Sequence, residues 1–210
     1  LAQLKAQSIS CVAMKPVASG APQTEMGLRN DDALKLQQAS SVQVPYDLIN
    51  PYCFEPAIAP HLAAQQSGVV IQASVILEAF NELCSLAEVV IVEGVGGWQV
   101  PLNVETNEVF SVATLAEQMK LPVVLVVGLR LGCLNHAQLS YYSIYDSQCQ
   151  FAGWVANNVE YGLLNSREQI QFLQQQLSVP LLAQFSLCRD IDNLENNVIA
   201  DEVIDLDHLL

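Results

Sequence analysis

The chain has 210 residues, 51% of them hydrophobic and only 14% charged, and its 22 acidic and 8 basic residues leave a net charge of -14. That apolar content excludes a disordered chain, and eight scattered basic residues cannot build the phosphate-neutralising face of a nucleic-acid binder. No membrane-spanning helix is predicted either, because the longest apolar run, residues 121–129, stops at Arg130, short of the roughly 20 residues a span needs.

Residues 1–7 (LAQLKAQ) read as the last turns of a helix already under way, and they lack the cationic, apolar, small-residue succession of a signal peptide. Short β-branched runs then recur at 9–14 (ISCVAM), 89–92 (VVIV), 123–127 (VVLVV), 152–156 (AGWVA) and 179–184 (VPLLAQ). Such continuously apolar runs suit strands buried on both faces of a helix-covered parallel sheet. Helical stretches are expected between them, at 32–39, 72–86, 112–119, 134–145 and 166–177, and Ser166 with Gln169 has the spacing of a capping box. The alternation predicts an α/β fold, a mostly parallel sheet flanked by helices, in a single domain over 1–210. The acidic stretch 190–207 reads as a solvated surface segment.

Six cysteines stand at 11, 53, 84, 133, 149 and 188, with no pair closer than 16 residues, so neither a CxxC motif nor a zinc-knuckle spacing exists. A reduced, cytoplasmic protein is the expectation. His61, His136 and His208 are too widely separated to form a metal-ligand spacing.

Ligands of open α/β sheets bind beyond the carboxyl ends of the strands, so the residues delivered there carry the chemistry. The first run delivers Lys15-Pro16-Val17-Ala18-Ser19-Gly20; the second, Glu93-Gly94-Val95-Gly96-Gly97-Trp98; the third, Gly128 to His136, running into a helix; the fourth, Asn157-Asn158. Glu93 closes an apolar run, where an unpaired carboxylate is costly. Either it faces water or it meets a magnesium ion, which takes one or two carboxylates together with substrate phosphates. Gly94, Gly96 and Gly97 allow a ligand close backbone approach, but are also ordinary turn residues. Lys15, held extended by Pro16, is either a solvated loop lysine or the cation that neutralises a phosphoryl group or a carboxylate. Asp31 and Asp32 suit a helix N-terminus. Asn135 either caps the helix after Gly132 or sits where free N–H groups hold an anion.

Five segments in register resemble the dethiobiotin synthetase family: 15–20 (KPVASG), 27–34 (GLRNDDAL), 92–98 (VEGVGGW), 131–137 (LGCLNHA) and 153–157 (GWVAN). The resemblance covers residues 9 to 187 and implies a fold like that of the phosphate-loop NTPases. It implies an ATP- and magnesium-dependent enzyme that carboxylates 7,8-diaminononanoate with CO2 and closes the ring to dethiobiotin, in biotin biosynthesis. By the same resemblance Lys15 is the catalytic lysine, Ser19 a substrate-binding serine, and Asp32 and Glu93 the carboxylates of the Mg2+ site. Glu93, Gly94, Val95 and Gly96 would line the ATP together with Asp32, and Asn157 with Asn158 would recognise its adenine. A homodimer is implied, with Gly132 and Asn135 holding the substrate carboxylate across the subunit interface.

Two departures from the family pattern stand out. The family begins with a strand and a GxxxxGK[ST] phosphate loop, which occurs nowhere in these 210 residues; its expected place is just before Leu1. Two explanations compete, a shortened chain of an active enzyme and a catalytically inactive dimeric pseudoenzyme of the same fold. Physical reasoning favours the first, because an internal strand cannot be lost without orphaning backbone groups. The second departure is Ser186-Leu187-Cys188, which stands where the family has a proline-containing purine-binding loop.

Overall fold

The computed structural model describes residues 1–105, 108–161 and 163–187. The acidic segment expected at 190–207 lies outside them, as do Cys188 and His208. In chain order the elements begin with α1 (Ala2–Ala6), β1 (Cys11–Met14), β2 (Val17–Ser19), β3 (Gln23–Thr24), β4 (Gly27–Leu28), α2 (Asp31–Ala39) and α3 (Tyr46–Ile49). They continue with β5 (Tyr52–Phe54), α4 (Pro60–Gln66), α5 (Ala73–Leu86), β6 (Val89–Val92), β7 (Pro101–Glu105), β8 (Glu108–Ser111) and α6 (Val112–Met119). The last are β9 (Val123–Leu129), α7 (Cys133–Tyr145), β10 (Phe151–Asn158), α8 (Ser166–Gln176) and β11 (Leu181–Phe185). No helix among the described residues is long and apolar enough to cross a membrane.

The chain packs as two compact units, Leu1–Leu115 and the described residues from Ala116 on, with the division falling inside α6. In the first unit β1 and β6 pair in parallel, from Cys11 opposite Val89 to Met14 opposite Val92. All four residues of β1 are buried, and α2 and α3 pack against it. A second parallel pair, β2 with β5, and two antiparallel ribbons, β3–β4 and β7–β8, complete the unit. The second unit holds a parallel three-stranded sheet in the order β11-β10-β9. Its core gathers Trp154 of β10, Leu129 of β9, Tyr141 of α7 and Leu173 of α8. Burial of such large apolar side chains supplies the main driving force for the layer.

All five expected strands and all five expected helices form, each within two residues of its expected bounds. Two expectations need correction. Burial on both faces holds for β1 and for the middle of β10, but β6 is only half-buried and Val126 of β9 is 61% exposed. Each of these two pairs with a strand on one side only among the described residues, and an edge strand has less of the protein over it. The capping box at Ser166 does not form: Asn165 is the N-cap, in the left-handed conformation, and the Gln169 side-chain Oε1 accepts from the Cys133 thiol at 3.0 Å instead. The stretch after Pro16 contains β2, which pairs with β5.

Candidate active site

Parallel pairing in register brings the residues that follow β1 and β6 to one edge. Met14 lies opposite Val92, and the N–H of Glu93 donates to the Met14 carbonyl at 2.8 Å. Lys15 and Glu93 are therefore neighbours, and the Lys15 ammonium donates to Glu93 Oε1 at 2.7 Å. Asp32 comes to the same ammonium from another element: its Oδ2 is 3.3 Å from Lys15 Nζ. It reaches there from the first turn of α2, whose N-cap is Asn30; the Asn30 Oδ1 accepts from the Ala33 N–H at 3.2 Å. Capping thus falls to Asn30, which releases Asp31 and Asp32 from that task.

Lys15 is not a solvated loop lysine. It is 6% exposed, and an ammonium so far from water must be paired. The two carboxylates that pair it are the exposed partners, with Asp32 and Glu93 side chains 56% and 47% exposed. Glu93 is accordingly not an acid stranded in an apolar interior; it is half in water and ion-paired. The result is a buried cation at the floor of an edge whose acidic oxygens still face solvent. Ser19, at the end of β2, has its Oγ buried with no hydrogen-bond partner among the described residues.

After Glu93 the chain turns tightly, with the Gly97 N–H donating to the Val95 carbonyl at 2.8 Å. Gly96 has φ +72, and a Cβ there would stand 3.1 Å from Val100 Cγ2, so both backbone conformation and space select glycine. Gly94 and Val95 complete the turn that leads from the carboxylate.

The second unit builds a different edge. Asn157 of β10 lies opposite Gly128 of β9, and Asn158 opposite Leu129, so both amides share an edge with the turn entering α7. Gly132 is the N-cap of α7, left-handed at φ +91. Asn135 is not the cap but sits in the first turn of the helix, where N–H groups and the dipole favour an anion. Asn158 is partly committed, since its Oδ1 accepts from the Glu160 N–H at 3.3 Å.

One set of residues escaped the sequence reading. Asn50 Nδ2 donates to the Lys15 carbonyl at 2.6 Å, and the Asn30 N–H donates to Tyr46 Oη at 2.8 Å. Burial is the main cause that pushes the Tyr46 phenol up to about 12. The only hint in the sequence was the turn signal of Asn50-Pro51; no spacing rule connects residue 50 to residue 15.

A family model described as an AAA domain matches residues 2–195. The "ATP-dependent dethiobiotin synthetase BioD" of Xylella fastidiosa (strain 9a5c) is 45% identical over 180 residues, covering 86% of this chain and 78% of that protein. The chain belongs to the dethiobiotin synthetase family. The protein of the same name from Xanthomonas oryzae pv. oryzae (strain PXO99A) is 46% identical over 177 residues, covering 84% and 77% of the two chains. That of Pseudomonas paraeruginosa (strain DSM 24068 / PA7) is 45% identical over 181 residues, covering 86% and 78%. These relatives are named as ATP-dependent synthetases, and the pseudoenzyme alternative finds no support among them.

The donor chemistry at the first edge of this dethiobiotin synthetase family member suits magnesium. Among the described residues no group of three or more His, Cys, Asp or Glu is arranged to enclose a metal. Magnesium does not need such a cage, because it keeps several waters and takes one or two carboxylates plus phosphate oxygens. Asp32 and Glu93 are hard oxygen donors, and both are half-exposed.

Proposed function

We propose that this chain works as an ATP-dependent dethiobiotin synthetase, a cyclising ligase of biotin biosynthesis, with the Lys15–Asp32–Glu93 cluster as its phosphoryl-transfer centre. The observation that carries the reading is the buried Lys15 ammonium held between two half-exposed carboxylates. A buried, ion-paired lysine is a fixed positive charge, of the kind that stabilises negative charge on carbamate and phosphoryl oxygens. The same 93–98 turn offers backbone to a nucleotide, and the Ser19 hydroxyl is a buried polar group in search of a partner.

The substrates we assign are 7,8-diaminononanoate, CO2 and ATP. One amine adds to CO2, losing a proton, to give a carbamate. A carbamate oxygen attacks the γ-phosphorus of ATP, the bond to the bridging oxygen breaks, and ADP leaves. The second amine attacks the carbonyl carbon of the resulting carbamic–phosphoric anhydride; phosphate departs with the bonding pair, and the proton lost from nitrogen completes the urea ring. Lys15 neutralises the carbamate and the transferred phosphoryl group, and Ser19 orients the amine end. Asp32 and Glu93 would hold Mg2+, which when bound supplies further neutralisation of phosphate charge. No protein nucleophile is required, because positioning and charge neutralisation do most of the work in phosphoryl transfer. Asn157 and Asn158 are assigned to the adenine, and Gly132 with Asn135 to the substrate carboxylate.

The working form we assign is a homodimer in the cytoplasm, with the α7 region at the interface. Leu131 is 93% exposed, and Leu139, Tyr142 and Tyr145 of α7 are 62%, 57% and 65% exposed. Large apolar groups this open mark a surface that another protein face covers, and a second copy fits the assigned carboxylate site. The deciding experiment incubates the full-length protein with ATP, Mg2+, labelled bicarbonate and the diamine. Label fixed into a cyclic urea in step with ADP release supports the reading. ADP release that is indifferent to the diamine would overturn it. Sedimentation of Leu139→Asp should show monomer if α7 forms the interface, and a dimer of undiminished stability would remove α7 from that role.

A further inference from the structure

We propose that Tyr46 and Asn50 are positioning residues for the reaction, a buried hydrogen-bonded relay that fixes the backbone of Lys15 relative to the helix start carrying Asp32. The proposal rests on the reading of Lys15 and Asp32 as working residues.

The relay can be traced bond by bond. Tyr46 Oη accepts from the Asn30 N–H at 2.8 Å and donates to Asn50 Oδ1 at 3.0 Å. Asn50 Nδ2 donates to the Lys15 carbonyl at 2.6 Å and to the Tyr52 carbonyl at 3.1 Å. The Lys15 N–H donates to the Ile49 carbonyl at 2.8 Å, so residues 49 and 50 grip Lys15 by both of its backbone groups. Asn30, at the other end, is the N-cap of the helix whose first turn presents Asp32. Tyr46, Asn50 and Asn30 are 8%, 3% and 9% exposed, so water cannot replace a lost partner. The Arg29 guanidinium lies 4.2 Å from the centre of the Tyr46 ring, holding it from one face.

Local stability does not explain this arrangement. Helix α3 is four residues long, far below the length at which a helix holds itself. Its first residue, Tyr46, and its C-cap, Asn50, are instead the two arms of the relay. Lys15 needs the help because Pro16, which follows it, has no N–H to offer a neighbouring strand. A lysine side chain is long and flexible, and its ammonium meets two acids from different elements only if the backbone beneath it is fixed. In phosphoryl transfer a misplacement of about 1 Å can cost roughly 100-fold in rate, so the relay acts on turnover through Lys15 and Asp32 and not by touching substrate.

The test compares Tyr46→Phe, which removes one oxygen, with the parent in the full-length protein, measuring kcat, KM for the diamine and the melting temperature. The relay predicts a fall in kcat of about tenfold, with KM for the diamine changed less than about twofold, at temperatures well below unfolding. In an Asp32→Asn background the same substitution should cost much less, because the carboxylate to be positioned is gone. Unchanged kcat with a lowered melting temperature overturns the proposal, and so does an equal loss in both backgrounds. If Tyr46→Phe does not fold, Asn50→Ala is read by the same criteria, and failure of both to fold makes the pair purely structural and also overturns it. Lys15→Ala in the same assay separates the two claims: normal turnover there defeats the underlying reading, whereas its loss beside a normal Tyr46→Phe defeats only the relay.

Discussion

The two strand edges of this molecule solve the problem of meeting anions in different ways. At the end of β1 and β6 the work is done by side chains of opposite charge, already paired: a buried ammonium with carboxylates at 2.7 and 3.3 Å. At the end of β9 and β10 no such cluster stands among the described residues. Backbone N–H groups at the start of α7, a left-handed glycine and two asparagines stand there instead. The first arrangement is strong and charge-dependent, since a fixed cation in a poorly solvated place interacts strongly with any anion it meets. The second is neutral and geometric, suited to recognising a group that does not react. We propose that the first edge carries the chemistry and the second the recognition, and each edge can be broken separately.

The largest effect should come from the first edge. Lys15→Ala should lower kcat by roughly 100- to 1,000-fold, the usual cost of removing a principal charge-stabilising donor, as measured by ADP release with saturating diamine. The proposed dimer should persist by sedimentation, since no part of α7 is touched. Next in size is Glu93→Gln, which keeps shape and loses charge. It should raise the magnesium concentration needed for half-maximal activity by about tenfold, and an unchanged magnesium titration would remove Glu93 from the proposed metal site.

How much of this was legible beforehand follows the physics of each part. The strand runs and helices are readable because apolar periodicity is a local property, and all five expected strands and all five expected helices form. Lys15, Asp32 and Glu93 were readable as candidates because each ends or begins an element. Their meeting was not readable, because it depends on β1 and β6 pairing in register, 78 residues apart in sequence. The short pieces between Pro16 and Gln66 were missed for a related reason: β2, β5 and α3 are too short to show a period, and they exist through tertiary contacts. Asn30 as N-cap was masked by the two aspartates that follow it, which are better known as helix-start residues than as partners of a lysine. The left-handed Asn165 took the cap that Ser166 was expected to fill, because the side chain of Gln169 was drawn to Cys133.

A smaller effect should sharpen the second edge. Gly132 has φ +91, and an added Cβ there meets nothing within 4 Å. Gly132→Ala therefore tests backbone conformation alone, at a cost of about 1–2 kcal/mol for an alanine held in that region. If the α7 start holds the substrate carboxylate, the substitution should raise KM for the diamine about tenfold while leaving the magnesium titration where it was. A shift in the magnesium titration instead would blur the division between the edges.

The smallest expected effect concerns stability and belongs to the first unit alone. The Tyr46 phenol is raised from its ordinary 10.0 to about 12, chiefly by burial. Its neighbour Cys53, 3.8 Å away, is raised from its ordinary value too, again chiefly by burial. Both are acids kept neutral in the fold, so between pH 10 and about 12 the unfolded chain has released the Tyr46 proton while the folded chain still holds it. The unfolded state then binds fewer protons, and stability must fall as pH rises through that window, whereas below pH 10 this group imposes no slope. Denaturant melts across the window should show that decline. They should show a shallower one in Tyr46→Phe, where only Cys53 remains to add its own loss beginning at lower pH. The Arg29 guanidinium over the ring pulls the phenol the other way, so Arg29→Leu should steepen nothing below pH 10 and widen the window upward. An identical alkaline slope in the parent and in Tyr46→Phe would mean that the phenol ionises in the folded protein as it does in water, and that the relay's hydroxyl is not shielded as its burial requires.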